Sequence, residues 1–333
     1  MKEDRVAVFC RALWRGDKDV VERLAPVVDP NGSDRWGHTP LSMAAQYGDL
    51  PLVSLLVRRG ADVNQGKAFL TPVTLAARRG ELSLVEHLRK AGAVSSIVTW
   101  TYLGEHDLIA QELSRDPRLA DLRDEAGTPL IHHAAEALRP SIVSLLLDHG
   151  VNINSTDATG ETPLHRVADI RRASGSATGP MATLLLDRGA DPDARNWDDV
   201  TPLHQAVRAR NIAVVEVLLA RGADPNARDR SHGSTALRRA VSGTGAGGTA
   251  GTTDLMVPLT RLLLRHGADP DMRDKRGVPV HKSARLAPVK AVIEEHRRAN
   301  RASRPIDRPQ PPRPRSGPVR KRGRQSRKKR GLM

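Results

Sequence analysis

Apolar residues in this chain fall in short bursts at helical spacing, and the bursts come in pairs. The clearest pair lies in 201–226, TPLHQAVRARNIAVVEVLLARGADPN. Thr201 is a good N-cap, because its hydroxyl can accept a bond from a free amide of the first turn. Pro202 then takes the first helical position, where its missing N–H costs nothing. Leu203, Ala206 and Val207 share one face of a short helix. Arg210 and Asn211 make a turn. Val214, Val215, Val217, Leu218 and Leu219 form the apolar side of a second helix, which Gly222 ends by entering the left-handed conformation. Two helices this short cannot bury their apolar faces alone. They are stable only with a similar unit stacked on each side.

The chain supplies such neighbours. The opening Thr-Pro recurs at Thr39, Thr71, Thr128, Thr162 and Thr201, with Thr235-Ala236 as a variant. The closing Gly-Ala-Asp or a near relative follows at Gly60, Gly92, Gly150, Gly189, Gly222 and Gly267. Thr39 and Thr71 are 32 residues apart; Thr128 to Thr162 and Thr201 to Thr235 are 34 each. A period in the low thirties carrying T-P-L-H and G-A-D resembles the ankyrin-repeat family. The resemblance runs clearly from about Asp34 to Asp271. It implies an all-α solenoid of stacked helix-turn-helix repeats joined by short hairpin loops. About eight repeats are expected over 1–296, with cap-like end repeats at 1–33 and 272–296.

Five stretches depart from the pattern. In the first repeat one helix is expected to gather Val6, Val8, Phe9, Leu13 and Trp14, and a second Val20, Val21 and Leu24. Residues 95–121 have no T-P-L-H, yet span one repeat. Ile97, Val98, Trp100, Tyr102 and Leu103 suit a first helix, and Leu108, Ile109 and Leu113 a second, so this is read as a degenerate repeat. Residues 173–180 (ASGSATGP) and 242–253 (SGTGAGGTAGTT) read as flexible insertions from their Gly, Ser, Thr and Ala content. In the last repeat Pro288 either begins or interrupts the second helix.

Composition narrows the function classes. The chain is 39% apolar with only eight aromatics, which suits uniform layers of Leu, Ala and Val. The single cysteine, Cys10, excludes an internal disulfide and is expected to pack inside its helix. No apolar run has the length of a signal peptide or a membrane span, so a soluble, cytoplasmic protein is expected. The net charge of +15 is uneven. From Arg297 to Met333 there are 15 Lys and Arg against Asp307 alone, leaving about +1 for all the rest. Residues 297–333 are therefore expected to form a disordered Arg/Lys/Pro-rich tail.

No catalytic constellation stands out, and no enzyme, metal site or cofactor is expected. The histidines of the repeated motif, His132, His165, His204 and His281, suggest a row of ligands at first sight. Their place is taken elsewhere by Ser42, Thr74 and Arg238, which a shared metal or base would not tolerate. The family resemblance instead implies that they bridge neighbouring repeats by structural hydrogen bonds. His132 fits that place only if its helix is shifted by one residue. The glycines of 242–253 lack the Gly-Lys-Ser/Thr ending of a phosphate loop.

The resemblance also implies a protein-binding scaffold whose partner docks on hairpin tips and the concave faces of the first helices. Carried over by motif, the partner-binding positions are Arg35, Trp36, Lys67, Asp124, Glu125, Trp197, Asp198, His232, Lys275 and Arg276. Trp36 and Trp197 are attractive because exposed tryptophans are enriched among binding hot spots. A protein partner is expected, and no small-molecule substrate is evident. The tail cluster Arg320, Lys321, Arg322, Arg324, Arg327, Lys328, Lys329 and Arg330 resembles a bipartite nuclear address and equally suits a sequence-blind polyanion arm. The alternative function is thus a nucleic-acid-associated or nuclear-targeted adaptor, nuclear in a eukaryotic host. The 43 arginines against 10 lysines fit a GC-rich genome and count against the nuclear alternative.

Overall fold

The computed structural model describes residues 5–66, 69–124, 126–171, 175–242 and 253–302. Among them the chain forms helices α1 (Arg5–Arg15), α2 (Lys18–Leu24), α3 (Pro40–Tyr47), α4 (Leu50–Arg58), α5 (Pro72–Arg79), α6 (Leu82–Lys90), α7 (Ile97–Leu103), α8 (His106–Arg115) and α9 (Leu130–Glu136). The second half adds α10 (Pro140–Asp148), α11 (Pro163–Ala168), α12 (Gly175–Asp187), α13 (Pro202–Ala209), α14 (Ile212–Ala220), α15 (Ala236–Ser242), α16 (Thr253–Arg265), α17 (Val280–Ser283) and α18 (Ala287–Ala302). These make nine consecutive pairs, where about eight repeats were expected. Each odd-numbered helix packs on its even-numbered partner and on the next odd-numbered helix. The core is accordingly one unbroken apolar seam from Val6 to Ile293.

The local chemistry that starts each helix is the one written in the sequence. Thr201 Oγ1 accepts from the His204 amide, and Thr39 Oγ1 from that of Ser42, with proline at the first helical position both times. Asn211 caps α14 by accepting from the Val214 amide. Gly48 and Gly80 end α3 and α5 in the left-handed region. At the matching end of α13 stands Arg210, with φ of +59°. A residue with a Cβ occupies this region at a cost of about 1 kcal/mol relative to glycine.

What joins the pairs is a ladder of side chains that satisfies junction backbone groups. His165 Nε2 lies 3.0 Å from the Val200 carbonyl, and His204 Nε2 2.9 Å from that of Ser234. A carbonyl only accepts, so Nε2 carries the proton. Nδ1 is then free to accept from the hydroxyls of Thr162 and Thr201, each 2.9 Å away. His132 reaches the Glu161 carbonyl at 2.8 Å, because α9 starts one residue late, with Pro129 rather than Thr128 at its N-cap. Arg238 stands in the histidine place of α15 and contacts the Val278 carbonyl with Nη1 at 3.3 Å, the equivalent atom of the next junction. Thr74 bonds Thr99 Oγ1 at 2.7 Å.

A second ladder uses asparagine. The Nδ2 groups of Asn31, Asn64, Asn154 and Asn226 donate to the carbonyls of Gly60, Gly92, Gly189 and Gly267. Their Oδ1 atoms accept the amides of Asp62, Val94, Asp191 and Asp269. Asp193 occupies this place in its repeat. It accepts the Asp224 amide at 2.9 Å but has no N–H to donate to the Gly222 carbonyl. Burial and the charges of Asp224 and Asp191 raise the Asp193 pKa, against the hydrogen bond from the Asp224 amide.

Four expectations are corrected or sharpened. Trp14 does not join the core and is 70% exposed. It follows Leu13 by one position, about 100° around the helix, and so leaves the buried face that Leu13 shares with Phe9 and Cys10. Residues 175–180 are not a flexible loop but the start of α12. There Thr178 is buried with its hydroxyl on Asn211 Oδ1, and Gly179 abuts Ala213. The small residues serve close packing. Residues 172–174 and 243–252 lie outside the described residues. Pro288 begins α18, which runs past 296 to Ala302. Arg297 binds Asp271 and Glu294, both at 2.9 Å, so it belongs to the last repeat and not to a tail. The degenerate stretch 95–121 forms α7 and α8 as expected, capped by the box of Ser96 and Thr99 and followed by a 3-10 turn at Pro117–Asp121.

Two outcomes follow from the ladders. Asp193→Asn supplies the missing donor, so the urea midpoint should rise by an amount equivalent to about 1 kcal/mol; an unchanged or lower midpoint would remove the asparagine ladder as a stabilising device. The second concerns acid. Burial pushes His204 and His132 down to about 4 from the ordinary 6.5, and lowers His165 as well. Between those values the unfolded chain holds more protons than the folded one, so stability is full above pH 6.5 and falls as pH drops toward 4. Each of the two should account for a loss on the order of 1–3 kcal/mol at the acid end. Unfolding midpoints measured across this window check it, and His204→Gln should flatten the slope.

Candidate interaction surface

Six hairpins among the described residues are built around one Asp or Asn lying four to six residues ahead of the Thr or Pro that starts the next first helix. Asp34 Oδ1 accepts from the amides of Trp36 and His38, both at 2.9 Å. Asp124, Asp157, Asn196, Asp229 and Asp274 do the same for their own hairpins. For Asp157, burial alone would raise the pKa, but bonds from Thr159, the Glu161 amide and Arg166 hold it below the ordinary range. Asp229 is held down the same way by Arg239 and the amides of His232 and Ser234. These acids are what make the tips rigid. Their recurrence was legible in the sequence, though it was not read there.

The proposed partner-binding residues sit on this framework in different ways. Trp36 is 62% exposed, and the Arg35 guanidinium lies over its ring at 4.0 Å. Trp197 is 64% exposed, yet its Nε1 donates to the Ala158 carbonyl at 2.9 Å and its ring lies against Gly160 of the neighbouring hairpin. A Cβ at Gly160 would come within 3.1 Å of that ring. Asp124 is committed to its turn and to His133, 3.3 Å away. The Asp198 carbonyl accepts the Arg230 amide at 2.7 Å. The His232 carbonyl accepts the Lys275 amide, and Lys275 Nζ contacts the Arg230 carbonyl. Lys67, Glu125 and the cluster from Arg320 to Arg330 lie outside the described residues.

These positions form a row along the hairpins rather than one site. His232 and Arg276 alone among them share a cavity. This is a polar cleft of about 600 Å³ across the first helices α13, α15 and α17 and the hairpins ahead of the last two. Its cations are Arg208, Arg210, Arg238, Arg239, Arg276, Lys282 and Arg285; its acids are Asp229 and Asp274. Sequence reasoning missed it because its residues come from three repeats and arginine is common throughout the chain.

Elsewhere on the first helices, charges meet partners. Arg78 pairs with Glu136 at 3.1 Å, and Arg166 with both Asp157 and Glu161. The Tyr102 hydroxyl lies 2.7 Å from His133 Nδ1, with Asp124 beyond, but Tyr102 and His133 are buried and present nothing to a substrate. Among the described residues no group of three or more His, Cys, Asp or Glu could hold a metal, and no helix is long and apolar enough to cross a membrane.

Comparison with known proteins agrees with this architecture. A family model described as ankyrin repeats (3 copies) matches residues 9–99 and 101–196, and one described as ankyrin repeats (many copies) matches 185–240. An ankyrin repeat-containing protein of Schizosaccharomyces pombe (strain 972) is 42% identical over 50 residues, 15% of this chain and 24% of that protein. The match therefore spans about a quarter of that relative's length. Among solved structures, the ankyrin repeat domain of Bcl-3, a member of the IkappaB protein family, is similar at 27% identity with a TM-score of 0.46. That match covers 78% of this chain and 99% of the other.

The two exposed tryptophans should separate in a stability measurement. Trp197→Ala loses a hydrogen bond and the packing on Gly160, and should cost about 1 kcal/mol in urea unfolding. Trp36→Ala loses only an exposed cation–π contact, and should cost about half that. Equal costs would mean that the Trp197 ring gains nothing from the neighbouring hairpin.

Proposed function

The chain belongs to the ankyrin-repeat family, whose repeats are general protein–protein interaction modules and typically non-catalytic, and we propose that it is itself a non-enzymatic scaffold. Its partner is a protein that docks along the hairpin row and the adjoining first-helix surface. The observation that carries this reading is Trp36, a large ring left 62% exposed beside Arg35 on a hairpin made rigid by Asp34. A rigid exposed aromatic–arginine pair contributes contact area with little ordering cost on binding. The basic segment beyond Ala302 is an accessory: an electrostatic contact or an address, with cytoplasmic placement as the default.

A nuclease-treated pull-down from host lysate tests the proposal with the full chain, a chain ending at Ala302, and Trp36→Ala. Cutting at Ala302 keeps Arg297 and the last helix, which a cut at 296 would damage. A protein partner should survive the truncation and be weakened about tenfold or more by Trp36→Ala. Binding that follows the tail alone, and disappears with nuclease or salt, would overturn the proposal in favour of a polyanion-binding adaptor.

A further inference from the structure

The polar cleft across α13, α15 and α17 differs from the rest of the first-helix surface in its charge balance. Seven cations face it against two acids. Three of the seven are spoken for. Arg208 pairs with Asp169 at 3.0 Å, Arg238 with Asp274 at 2.7 Å, and Arg239 with Asp229 at 2.9 Å. Both cleft acids are thereby used up. The side chains of Arg210, Lys282 and Arg285 form no hydrogen bond or ion pair among the described residues; that of Arg276 makes no direct bond either, though its charge helps lower the Asp274 pKa. Residues 243–252 contain no charged residue, Asp254 is the first acid after them, and residues beyond 302 are strongly basic.

Arg210 is the most telling of the four. It holds a left-handed turn position that glycine fills in α3, α5 and α7, so arginine is strained there. It is also half-buried, and its Nη1 is shielded from solvent with no partner. A guanidinium kept in an unfavourable backbone position, partly desolvated and unpaired, is poised for an oxyanion that its fork can grip at two points. No Phe, Tyr or Trp lines the cleft to stack a base; His232 is its one ring.

We propose that this cleft binds an acidic peptide segment of the partner protein, with carboxylates gripped by Arg210, Arg276, Lys282 and Arg285. This rests on the scaffold reading above and assigns the chemistry of one part of the partner. The segment is short: the cleft volume of about 600 Å³ takes only a few residues. Arg238 and Arg239, fixed by their acids, serve as the rigid floor.

The test uses the full chain and fluorescent hexaglutamate, with hexathymidylate as a second probe of similar charge. Arg210→Gly removes the cation and relieves the turn, so it should hold or raise thermal stability while weakening hexaglutamate about tenfold. Arg276→Gln/Arg285→Gln should weaken it further, whereas Arg320→Gln/Arg322→Gln should change affinity less than about twofold. An unchanged affinity for Arg210→Gly, or an effect confined to the tail substitutions, overturns the proposal. So does a preference for hexathymidylate through the same cleft residues, which would make the site a nucleic-acid groove. If the pull-down partner is retained through Trp36 while the cleft variants leave hexaglutamate binding unchanged, this inference fails and the scaffold reading stands. Loss of all protein binding with an intact hexaglutamate site would be the reverse.

Discussion

A helix pair a few turns long has backbone groups at its ends that neither helix can satisfy, and the whole molecule depends on how the next pair satisfies them. The carbonyls of Glu161, Val200, Ser234 and Val278 stand at equivalent junctions. Left unpaired in a buried place, each would destabilise the fold by about 1–3 kcal/mol. Histidine suits three of these junctions because its Nε2 can donate across them, and at Thr162 and Thr201 the same ring also accepts within its own capping box. Arginine reaches the fourth with a longer, charged arm, and that arm needs the buried carboxylate of Asp274 as company. That carboxylate is the Asx of its own hairpin, so one side chain here both shapes the tip and holds the junction arginine.

The same economy of parts explains why the hairpins are stiff. In six hairpins a single Asx side chain gathers two amides, so a tip only a few residues long has a defined shape. Partner residues carried on such tips are held in register with the helices behind them. In a stack where each repeat touches only its neighbours, stability is local and binding surface accumulates linearly with repeat number. That arrangement lets one end of the array present Trp36 and the other a basic cleft without either constraining the other.

Much of this was legible in the chain because the signals are local. Thr-Pro and Gly-Ala-Asp mark helix starts and stops by chemistry confined to a few residues, and the structure puts caps and turns where they fall. The degenerate stretch was legible from apolar spacing alone, with Tyr102 and Ile109 buried as the pattern required. Trp14 was not, since apolar spacing cannot show that the flank of the helix beside Leu13 stays open to solvent. The Gly-Ser-Thr run before Met181 was misread because a composition typical of linkers is also what close helix packing demands, as Thr178 and Gly179 show. The cleft was invisible for a third reason: its cations stand far apart along the chain and become a site only when three repeats align.

The order of junction residues along the stack has a consequence for how the array would come apart. A hydroxyl serves toward the N-terminal end, at Thr74; histidines serve in the middle, at His132, His165 and His204; and arginine serves near the C-terminal end, at Arg238. Only the middle set changes character on gaining a proton. Acid should therefore weaken first the junctions at the centre of the stack, which lie between Trp36 and the arginine cleft and set the distance from one to the other.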